Sequence, residues 1–276
     1  MKAVPVSSGS HTLRYVELPG ADPPLLWLHG LMCSATAELL PAAVQPPLQG
    51  RRSLVVDFLG YGYSDKPESF GYSVEDHAAT VVELLDALEM EQCVLVGHSM
   101  GGTVATLVAA ARPDAVSVLV LAEAEIDSGG AAGVASQAES DFVATGFSSV
   151  LDGMRAQAAQ DPTGLGAIHL GMTALASPYA VHRGAVSLER GTAPEMRQLL
   201  AGQALPRYYL KAEDSEKGAG PQQDLVAAGV TWKSVPNTGH AMGLQNPQGF
   251  AEALADVLED AGTTRPDRPG TATLRE

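Results

Sequence analysis

Short apolar runs alternate with helical patterns along most of the chain, and no other feature of the sequence limits its fold as strongly. The runs are rich in leucine and valine and contain few polar residues, which is typical of strands buried on both faces of a parallel sheet. Six such runs occupy residues 25–28, 53–56, 93–96, 116–121, 207–210 and 230–235. The alternation therefore predicts an α/β fold in which helices flank a mostly parallel sheet.

Further elements are expected around these strands. Residues 3–7 and 12–17 are predicted to form an antiparallel edge hairpin around Ser8 and Gly9. Between the apolar runs, hydrophobic residues recur every three to four positions, which is the spacing of helices that pack on one face. The predicted helices of this kind span residues 74–90, 100–111 and 250–258.

One long stretch interrupts the alternation, because no strand is predicted between residues 127 and 203. It contains Ala-rich helical pieces separated by glycine and proline. These pieces span residues 135–145, 148–160, 165–177 and 179–190. We interpret the stretch as a helical cap inserted between two sheet strands. The predicted organisation is a core at residues 1–126 and 204–261, a cap at 127–203 and a disordered tail at 262–276.

The composition excludes several classes of function. The formal net charge is −15, so the surface repels phosphate backbones and nucleic acid is not an expected partner. No apolar run approaches the ~20 residues needed to cross a bilayer, and the first residues lack the apolar stretch of a signal peptide. A cytoplasmic location without membrane association is therefore expected. Two cysteines, Cys33 and Cys93, are too few for a disulfide framework or a zinc site.

The strongest local motif is Gly97-His98-Ser99-Met100-Gly101, directly after a predicted strand and directly before a predicted helix. This G-x-S-x-G pattern puts a serine on a strained turn that exposes its hydroxyl. Glycines are needed two positions to either side, because neighbouring backbone comes too close for a Cβ atom. The helix N-terminus adds free N–H groups and a dipole that favour an oxyanion. Ser99 is therefore a candidate nucleophile.

Together with three further motifs, this turn makes the chain resemble the α/β-hydrolase fold superfamily over residues 12–259. The further motifs are the Leu-His-Gly of residues 28–30, the Asp-Phe-Leu-Gly-Tyr-Gly-Tyr-Ser of residues 57–64 and the Asn-Thr-Gly-His of residues 237–240. The resemblance implies a catalytic triad with His240 on the loop after the last strand. An imidazole is suited to this role, because its pKa lets it take the serine proton near neutral pH.

The acid of the implied triad has more than one candidate. Family members most often carry Asp in a loop after the strand that follows the cap; that place falls on Ser215 here, with Asp214 one residue earlier. Many haloalkane dehalogenases and some lactonases of the family use a Glu after the strand that follows the elbow helix. Glu123 lies 24 positions after the candidate nucleophile, which matches this second arrangement. We favour Glu123 over Asp214, with Glu125 and Asp127 as further alternatives in the same loop.

The resemblance also implies an oxyanion hole made of two backbone N–H groups. One belongs to Met100, directly after the nucleophile, and the other to Leu31 in the loop after the Leu-His-Gly motif. The resemblance assigns structural roles to His29 in that motif and to the loop at residues 57–64. No Lys directly follows the glycines of the latter loop, which excludes a phosphate-binding P-loop.

These residues predict a carboxylic-ester hydrolase of the esterase or lactonase type, which acts through an acyl-enzyme intermediate on a small-molecule substrate without a cofactor. A serine nucleophile argues against dehalogenase and epoxide hydrolase chemistry, which use Asp at the elbow. Alternatives are a thioesterase, a non-hydrolytic lyase or cyclase, and a ligand receptor derived from a hydrolase. The oligomeric state is not predicted. Apolar cap residues that could face inward indicate an apolar pocket, although core packing of the cap itself explains them equally well; they are Met154, Leu165, Ile168, Leu170, Met172, Leu175 and Tyr179.

Overall fold

Eight strands form one sheet in the computed structural model, which describes residues 1–7, 10–161, 163–215 and 222–263. In space the strands follow the order β1-β2-β4-β3-β5-β6-β7-β8. Their bounds are β1 (Lys2–Val6), β2 (His11–Leu18), β3 (Ala21–Leu28), β4 (Arg51–Asp57), β5 (Cys93–His98), β6 (Val116–Ala122), β7 (Arg207–Ala212) and β8 (Thr231–Val235).

The sheet is mostly parallel, as the buried apolar runs predicted. Only β1 with β2 and β2 with β4 pair antiparallel among the described strands, whereas all pairs from β4 to β8 are parallel. The predicted edge hairpin is present as β1 and β2, and its expected turn residues Ser8 and Gly9 lie outside the described residues. Because the parallel strands run in the same direction, their carboxyl ends all lie at one edge of the sheet.

Helices connect the strands and cover both faces of the sheet. In chain order they are α1 (Ala35–Glu38), α2 (Leu40–Ala43), α3 (Val74–Ala87), α4 (Met100–Ala111), α5 (Ala132–Ala135), α6 (Glu139–Asp141), α7 (Phe147–Ala158), α8 (Leu165–Ala174), α9 (Pro178–Arg190), α10 (Met196–Ala201), α11 (Gln222–Ala227), α12 (Met242–Gln245) and α13 (Pro247–Asp260). A 3-10 helix spans Pro46–Leu48 and a π-helix spans Phe142–Gly146.

The first long helix, α3, begins where its sequence provides a capping box. The Ser73 hydroxyl accepts the N–H of Asp76 at 3.0 Å, and the Asp76 carboxylate accepts the N–H of Ser73 at 3.0 Å. These two bonds satisfy donors that a helix start otherwise leaves unpaired. The helix ends before the predicted residue 90, because Glu89 has a φ of 50°, which does not continue a right-handed helix.

The core has two apolar layers, one on each face of the sheet. Alternate residues of β3 belong to different layers, since successive side chains of a strand point to opposite faces. Leu26 packs in the layer that contains buried residues of α3 and α4. Trp27 packs in the layer formed with α13, where its ring meets Phe250 edge-on at 5.8 Å between centroids. The side chains on both faces of the central strands are therefore buried from solvent.

The chain between β6 and β7 contains helices and no strand in the part that the structure describes. The four predicted helical pieces overlap α6 to α9 and the π-helix, whereas α5 and α10 were not predicted as separate helices. The domain limits at residues 127 and 203 stay a prediction. Within the tail predicted to be disordered, residues 264–276 lie outside the described residues. No helix of the described chain has the length and hydropathy to cross a membrane.

Candidate active site

Ser99 lies on the turn between β5 and α4, at the carboxyl edge of the sheet. Its φ of 51° falls in the left-handed region, which residues with a side chain rarely adopt. The Ser99 N–H donates a hydrogen bond to the carbonyl of Ala122 at 3.0 Å, which fixes the turn to the end of β6. The side chain lines a cavity. The turn therefore has the strained geometry that its sequence predicted.

The glycines around this turn allow very close backbone contacts. A Cβ atom on Gly97 would lie 2.3 Å from the carbonyl oxygen of Gly101. A Cβ atom on Gly101 would lie 2.2 Å from the carbonyl oxygen of Leu28, at the end of β3. Real Cβ atoms do not approach this closely, because steric repulsion rises steeply at such distances. The strained turn depends on both glycines.

Glu123 lies directly after β6 and has a φ of 48°, so it is also in the left-handed region. One carboxylate oxygen, Oε1, accepts the N–H of Ala212 at 2.9 Å and lies 3.2 Å from Nζ of Lys211. The other oxygen, Oε2, accepts the hydroxyl of Ser215 at 2.6 Å. The same oxygen lies 3.4 Å from Nδ1 of His240. The structure thus brings Glu123 next to His240.

The surroundings of Glu123 favour its ionised form. Burial would raise the pKa of this carboxyl group, but hydrogen bonds from His240 and Ser215 oppose that effect. The Ala212 N–H and the Lys211 charge lower the pKa further, so that it reaches about 2. An ionised carboxylate beside Nδ1 favours the tautomer in which Nδ1 carries the proton. Nε2 of His240 is then the basic nitrogen.

A short loop between β8 and α12 carries His240. The N–H of Gly239 donates to Oε1 of Gln245 at 2.8 Å. The carbonyl oxygen of His240 lies 2.8 Å from Nε2 of His98. The His240 side chain is 32% exposed, so its backbone is fixed while its ring reaches the surface of the site.

Ser99 and His240 line the same cavity, whose volume is about 180 Å³. Leu31 belongs to its wall, and the inserted helices contribute His169 and Met172 from α8. The other lining residues are Gly30, Met32, Cys33, Glu38, His98, Glu125, Gly130, Ala131, Leu188, Ala241 and Leu244. The cavity therefore lies between the carboxyl edge of the sheet and the inserted segment.

The two N–H groups predicted to bind an oxyanion are available in the structure. Met100 is the first residue of α4, so its N–H has no partner within the helix. Within the described chain, neither this N–H nor that of Leu31 donates a hydrogen bond. Two unpaired donors beside Ser99 can stabilise negative charge that develops on a bound carbonyl oxygen.

The alternative acids lie elsewhere. Asp214 is exposed, and its carboxylate forms no hydrogen bond or ion pair with another described residue. Glu125 lines the cavity, while Asp127 is exposed and pairs with Arg197 at 2.8 Å. Glu123 is within hydrogen-bonding distance of His240 in the described structure.

The loop that contains Asp57 has a structural role, as the resemblance implied. The buried Asp57 carboxylate accepts the N–H of Ala35 at 2.8 Å and that of Tyr63 at 2.9 Å. His29 accepts the N–H of Phe58 at Nε2, at 3.1 Å, so its other ring nitrogen carries the proton. These contacts frame the loop of Leu31. No three His, Cys, Asp or Glu side chains of the described chain are grouped so as to bind a metal ion.

The prediction for the apolar wall was only partly right. Met172 is buried and lines the cavity. The other six expected residues do not line it; they are Met154, Leu165, Ile168, Leu170, Leu175 and Tyr179. Of these, Ile168 and Leu175 are each 43% exposed. Helix α8 is apolar on several sides, and a pattern of this kind does not reveal which face meets the site.

Two features of the site were missed at the level of sequence. Glu38 forms an ion pair with His98 in the wall of the cavity, with 2.9 Å between Oε1 and Nδ1. No motif surrounds Glu38, so nothing in the sequence connected it to residue 98. Ser215 was noted only as the place where Asp was expected, although its hydroxyl bonds to Glu123. A polar residue at that place was the available signal for its role.

Known proteins resemble this chain in part of the sequence and in the whole fold. The chain is 41% identical to 2-hydroxymuconate semialdehyde hydrolase of Pseudomonas sp. (strain CF600) over 103 residues, which are 37% of this chain and 36% of the relative. The chain thus spans well under half the length of the curated relatives it matches.

Two solved structures cover nearly the complete chain. An esterase from Thermogutta terrifontis has a TM-score of 0.78 and 19% identity, with 95% of this chain and 99% of that chain covered. The enol-lactonase from Burkholderia xenovorans LB400 also has a TM-score of 0.78, with 17% identity and coverage of 94% and 100%. At these identities the likeness concerns the fold alone.

A family model described as the alpha/beta hydrolase fold matches residues 23–172 of the chain. The matched part includes the turn of Ser99, the loop of Leu31 and the strand that ends before Glu123. Because it covers more than half of the 276 residues, the protein belongs to the α/β-hydrolase fold family.

Proposed function

We propose that the protein is a serine hydrolase that cleaves an ester or lactone bond of a small molecule through an acyl-enzyme intermediate. One observation carries the proposal: Ser99 and His240 line one cavity, and the ionised Glu123 lies 3.4 Å from Nδ1 of His240. A nucleophile, a base and a group that orients the base are the parts that acyl transfer from serine requires.

In the first step, Ser99 Oγ attacks the carbonyl carbon of the substrate while Nε2 of His240 takes the hydroxyl proton. The carbonyl oxygen becomes an oxyanion and accepts hydrogen bonds from the N–H groups of Leu31 and Met100. Glu123 stabilises the imidazolium that forms. The tetrahedral intermediate collapses when the bond to the leaving oxygen breaks, and His240 gives its proton to that oxygen. An alcohol, or the hydroxyl end of an opened lactone, results.

The second step repeats this sequence with water as nucleophile. His240 takes a proton from water, whose oxygen attacks the acyl carbon bound to Ser99. The same two N–H groups stabilise the second oxyanion. When the bond to Oγ breaks, His240 returns the proton to Ser99, and a carboxylic acid leaves. No co-reactant besides water is needed.

The cavity supports a small substrate with apolar parts. Its volume of about 180 Å³ is below the ~300 Å³ at which pockets for drug-sized ligands begin. Leu31, Met172 and Leu244 supply apolar surface, whereas His169 and Glu125 are polar groups in its wall. The fold shared with an esterase and an enol-lactonase supports an ester or lactone as the substrate class.

We further propose that residues 127–203 act as a cap that shapes this substrate site. His169 and Met172 belong to this segment and line the cavity together with Ser99. The cap is held to the core by hydrogen bonds such as that from the Tyr61 hydroxyl to the carbonyl of Ala180, at 2.9 Å. Substrate selection would then depend on α8 more than on the sheet.

The test combines substrate turnover with chemical labelling of the nucleophile. The wild-type protein is expected to hydrolyse short p-nitrophenyl esters and to be labelled by a fluorophosphonate at Ser99, located by peptide mass spectrometry. The Ser99→Ala variant should lose at least about 10³-fold in kcat and the label. Ser117→Ala is a matched control, because the Ser117 hydroxyl bonds to the carbonyl of Cys93 away from the cavity. Ester turnover that survives in Ser99→Ala contradicts the proposal.

A second candidate is the hydrolysis of a bond in a substrate that is not an ester. It is favoured by the relative with 41% identity over 103 residues, whose name gives a semialdehyde as its substrate. Parallel assays with a p-nitrophenyl ester, a γ-lactone, an acyl thioester and 2-hydroxymuconate semialdehyde separate the candidates by kcat/KM. A value for the semialdehyde that exceeds those for all esters and lactones would favour the second candidate.

A further inference from the structure

Two charged side chains are buried together in the wall of the cavity. Glu38 is the last residue of α1 and is 1% exposed; His98 is the last residue of β5 and is 3% exposed. Oε1 of Glu38 lies 2.9 Å from Nδ1 of His98. Neither residue is part of the triad proposed above, although His98 directly precedes the nucleophile.

The contacts of His98 determine its protonation state. Its Nε2 lies 2.8 Å from the carbonyl oxygen of His240, and a carbonyl oxygen can only accept, so Nε2 carries a proton. Its Nδ1 lies 2.9 Å from Oε1 of Glu38 in an ion-pair contact without hydrogen-bond geometry, and this charge favours a second proton on the ring, as in an imidazolium. Burial lowers the pKa of His98, but the contacts with Glu38, the His240 carbonyl and the Glu123 charge together outweigh burial and raise it. Burial raises the pKa of Glu38, and His98 reverses this and lowers it to about 2.

The pair connects both loops that serve Ser99. The second carboxylate oxygen of Glu38, Oε2, accepts the N–H of Gly30 at 3.1 Å, directly before Leu31. On the other side, His98 donates to the backbone of His240, and the two rings are 4.8 Å apart between centroids. The oxyanion loop, the nucleophile turn and the histidine loop are thereby joined through two side chains.

Stability alone is a weak reason for such a pair. Removing two charges from water costs free energy that their attraction often does not repay, and apolar residues of similar volume are frequently as stable. A buried pair does fix the positions of the groups that it contacts, because each of its hydrogen bonds has a narrow range of distances and angles.

We propose that Glu38 and His98 are positioning residues. Through their backbone contacts they hold the N–H group of Leu31 and the imidazole of His240 at fixed positions relative to Ser99. This role rests on the proposed serine hydrolase function. A misplacement of reacting groups by about 1 Å can lower turnover by about 10²-fold, so loss of the pair acts on kcat. The positioning role requires no bond between Glu38 and the substrate, so KM is expected to change little.

Other titratable groups face the pair from several elements. His29 and Cys33 belong to the β3–α1 connection, Glu123 to the end of β6, and His169 to α8. Burial lowers the pKa of His169 and raises that of Cys33. Near neutral pH these two groups are therefore uncharged, and the Glu38 charge faces His98 as its principal partner.

The chain contains a matched control pair in the inserted segment. His182 is also buried, with Nδ1 3.7 Å from Oε2 of Glu139 and with Nε2 2.8 Å from the carbonyl oxygen of Gln137. None of these three residues lines the cavity of Ser99. The variants Glu139→Gln and His182→Asn thus repeat the chemical change away from the reacting groups.

The experiment compares Glu38→Ala, Glu38→Gln and His98→Asn with the two control variants. For each, kcat and KM are measured with a p-nitrophenyl ester, and the rate of Ser99 labelling is measured with a fluorophosphonate. Glu38→Ala and His98→Asn should lower kcat and the labelling rate about tenfold to a hundredfold, with KM within about threefold. Glu38→Gln keeps a side-chain oxygen that can accept the N–H of Gly30, so its kcat and labelling rate should lie between those of Glu38→Ala and wild type. The controls should stay within about twofold of wild type.

A spectroscopic measurement keeps the test independent of turnover and of variant folding. In wild-type protein with 15N-labelled histidine, both ring nitrogens of His98 should have imidazolium chemical shifts near neutral pH. A neutral ring there overturns the inference. The inference is also overturned if the wild-type protein is active and the kcat and labelling rate of Glu38→Ala stay within twofold of wild type. The hydrolase proposal would then still stand. A wild-type protein that neither turns over esters nor takes the label overturns both.

Discussion

At the scale of single residues, the acid and the base of the proposed triad differ in how far their side chains are buried and hydrogen-bonded. Glu123 is 2% exposed and accepts from the N–H of Ala212 and the hydroxyl of Ser215 as well as facing His240. The His240 ring is 32% exposed and depends on Glu123 for its orientation. The orientation of the His240 ring therefore depends on the position of the Glu123 carboxylate.

Glu123→Gln is expected to lower kcat by about 10²- to 10⁴-fold, because a neutral amide does not stabilise the imidazolium and can orient the wrong tautomer. Steady-state hydrolysis of a p-nitrophenyl ester measures this effect. Asp214→Asn is the matched control and should keep kcat within about twofold, since Asp214 is exposed. The reverse ranking of the two variants would assign the acid to Asp214.

Ser215→Ala is expected to act on the same carboxylate more weakly. It removes a hydrogen bond of 2.6 Å to Oε2 of Glu123, and hydrogen bonds to charged groups contribute about 1.5–3 kcal/mol. The pKa of Glu123 should rise, while its contact with His240 remains, so kcat should fall by about three- to tenfold at neutral pH. An unchanged kcat together with an unchanged acid limb of the pH–rate profile would show that this bond does not support the site.

At the scale of elements, the turn between β5 and α4 depends on contacts that exclude any side chain. Gly101→Ala puts a Cβ atom 2.2 Å from the Leu28 carbonyl oxygen, and the resulting strain should lower the free energy of unfolding by at least about 3 kcal/mol. Urea denaturation followed by circular dichroism measures this loss.

The control for this glycine is Gly153→Ala in α7, where a new Cβ atom would have no atom within 4 Å. There alanine should raise the free energy of unfolding by up to about 1 kcal/mol, because glycine is a poor helix residue. Equal effects of the two substitutions would mean that the close contacts at the turn do not constrain it.

Elements with a strong local pattern could be predicted from the sequence. Helix α4 has the predicted bounds, Met100–Ala111, because a strained glycine-rich turn starts it and Pro113 follows its end. The face of α8 that meets the cavity could not be predicted, since Ile168 and Leu175 are apolar but exposed. Which apolar residue is covered depends on the placement of the whole helix, and a local pattern contains no information about it.

At the scale of the whole molecule, the parallel sheet assembles the site from distant parts of the chain. Leu31, Ser99, Glu123 and His240 follow β3, β5, β6 and β8, and the carboxyl ends of these strands share one edge. This assembly could be predicted, because motifs after strands mark the edge. The Glu38–His98 pair could not, because it joins two residues 60 positions apart through side chains that no motif relates.

The same edge holds two ionised carboxylates that should govern the acid stability of the protein. The pKa of Glu38 and that of Glu123 each fall from an ordinary 4.5 to about 2. A group whose pKa is lower in the folded protein stabilises the folded state above its unfolded pKa. This contribution is lost as pH falls from 4.5 toward 2. Each lowering corresponds to about 3 kcal/mol of stability.

The free energy of unfolding of the wild-type protein, from urea denaturation at a series of pH values, should therefore decrease steeply between about pH 5 and about pH 2. Glu123→Gln removes one of the groups that take up a proton on unfolding, so its free energy of unfolding should vary less over this range. Glu139→Gln is the comparison: Arg183 lowers the pKa of Glu139 as well, but Glu139 is more exposed and pairs at the protein surface, where an ion pair contributes little. Its curve should lie closer to that of the wild type than the curve of Glu123→Gln does. If Glu123→Gln keeps the full wild-type slope, the Glu123 carboxyl does not titrate at a lowered pKa, and the ionised acid on which the orientation of His240 depends is absent.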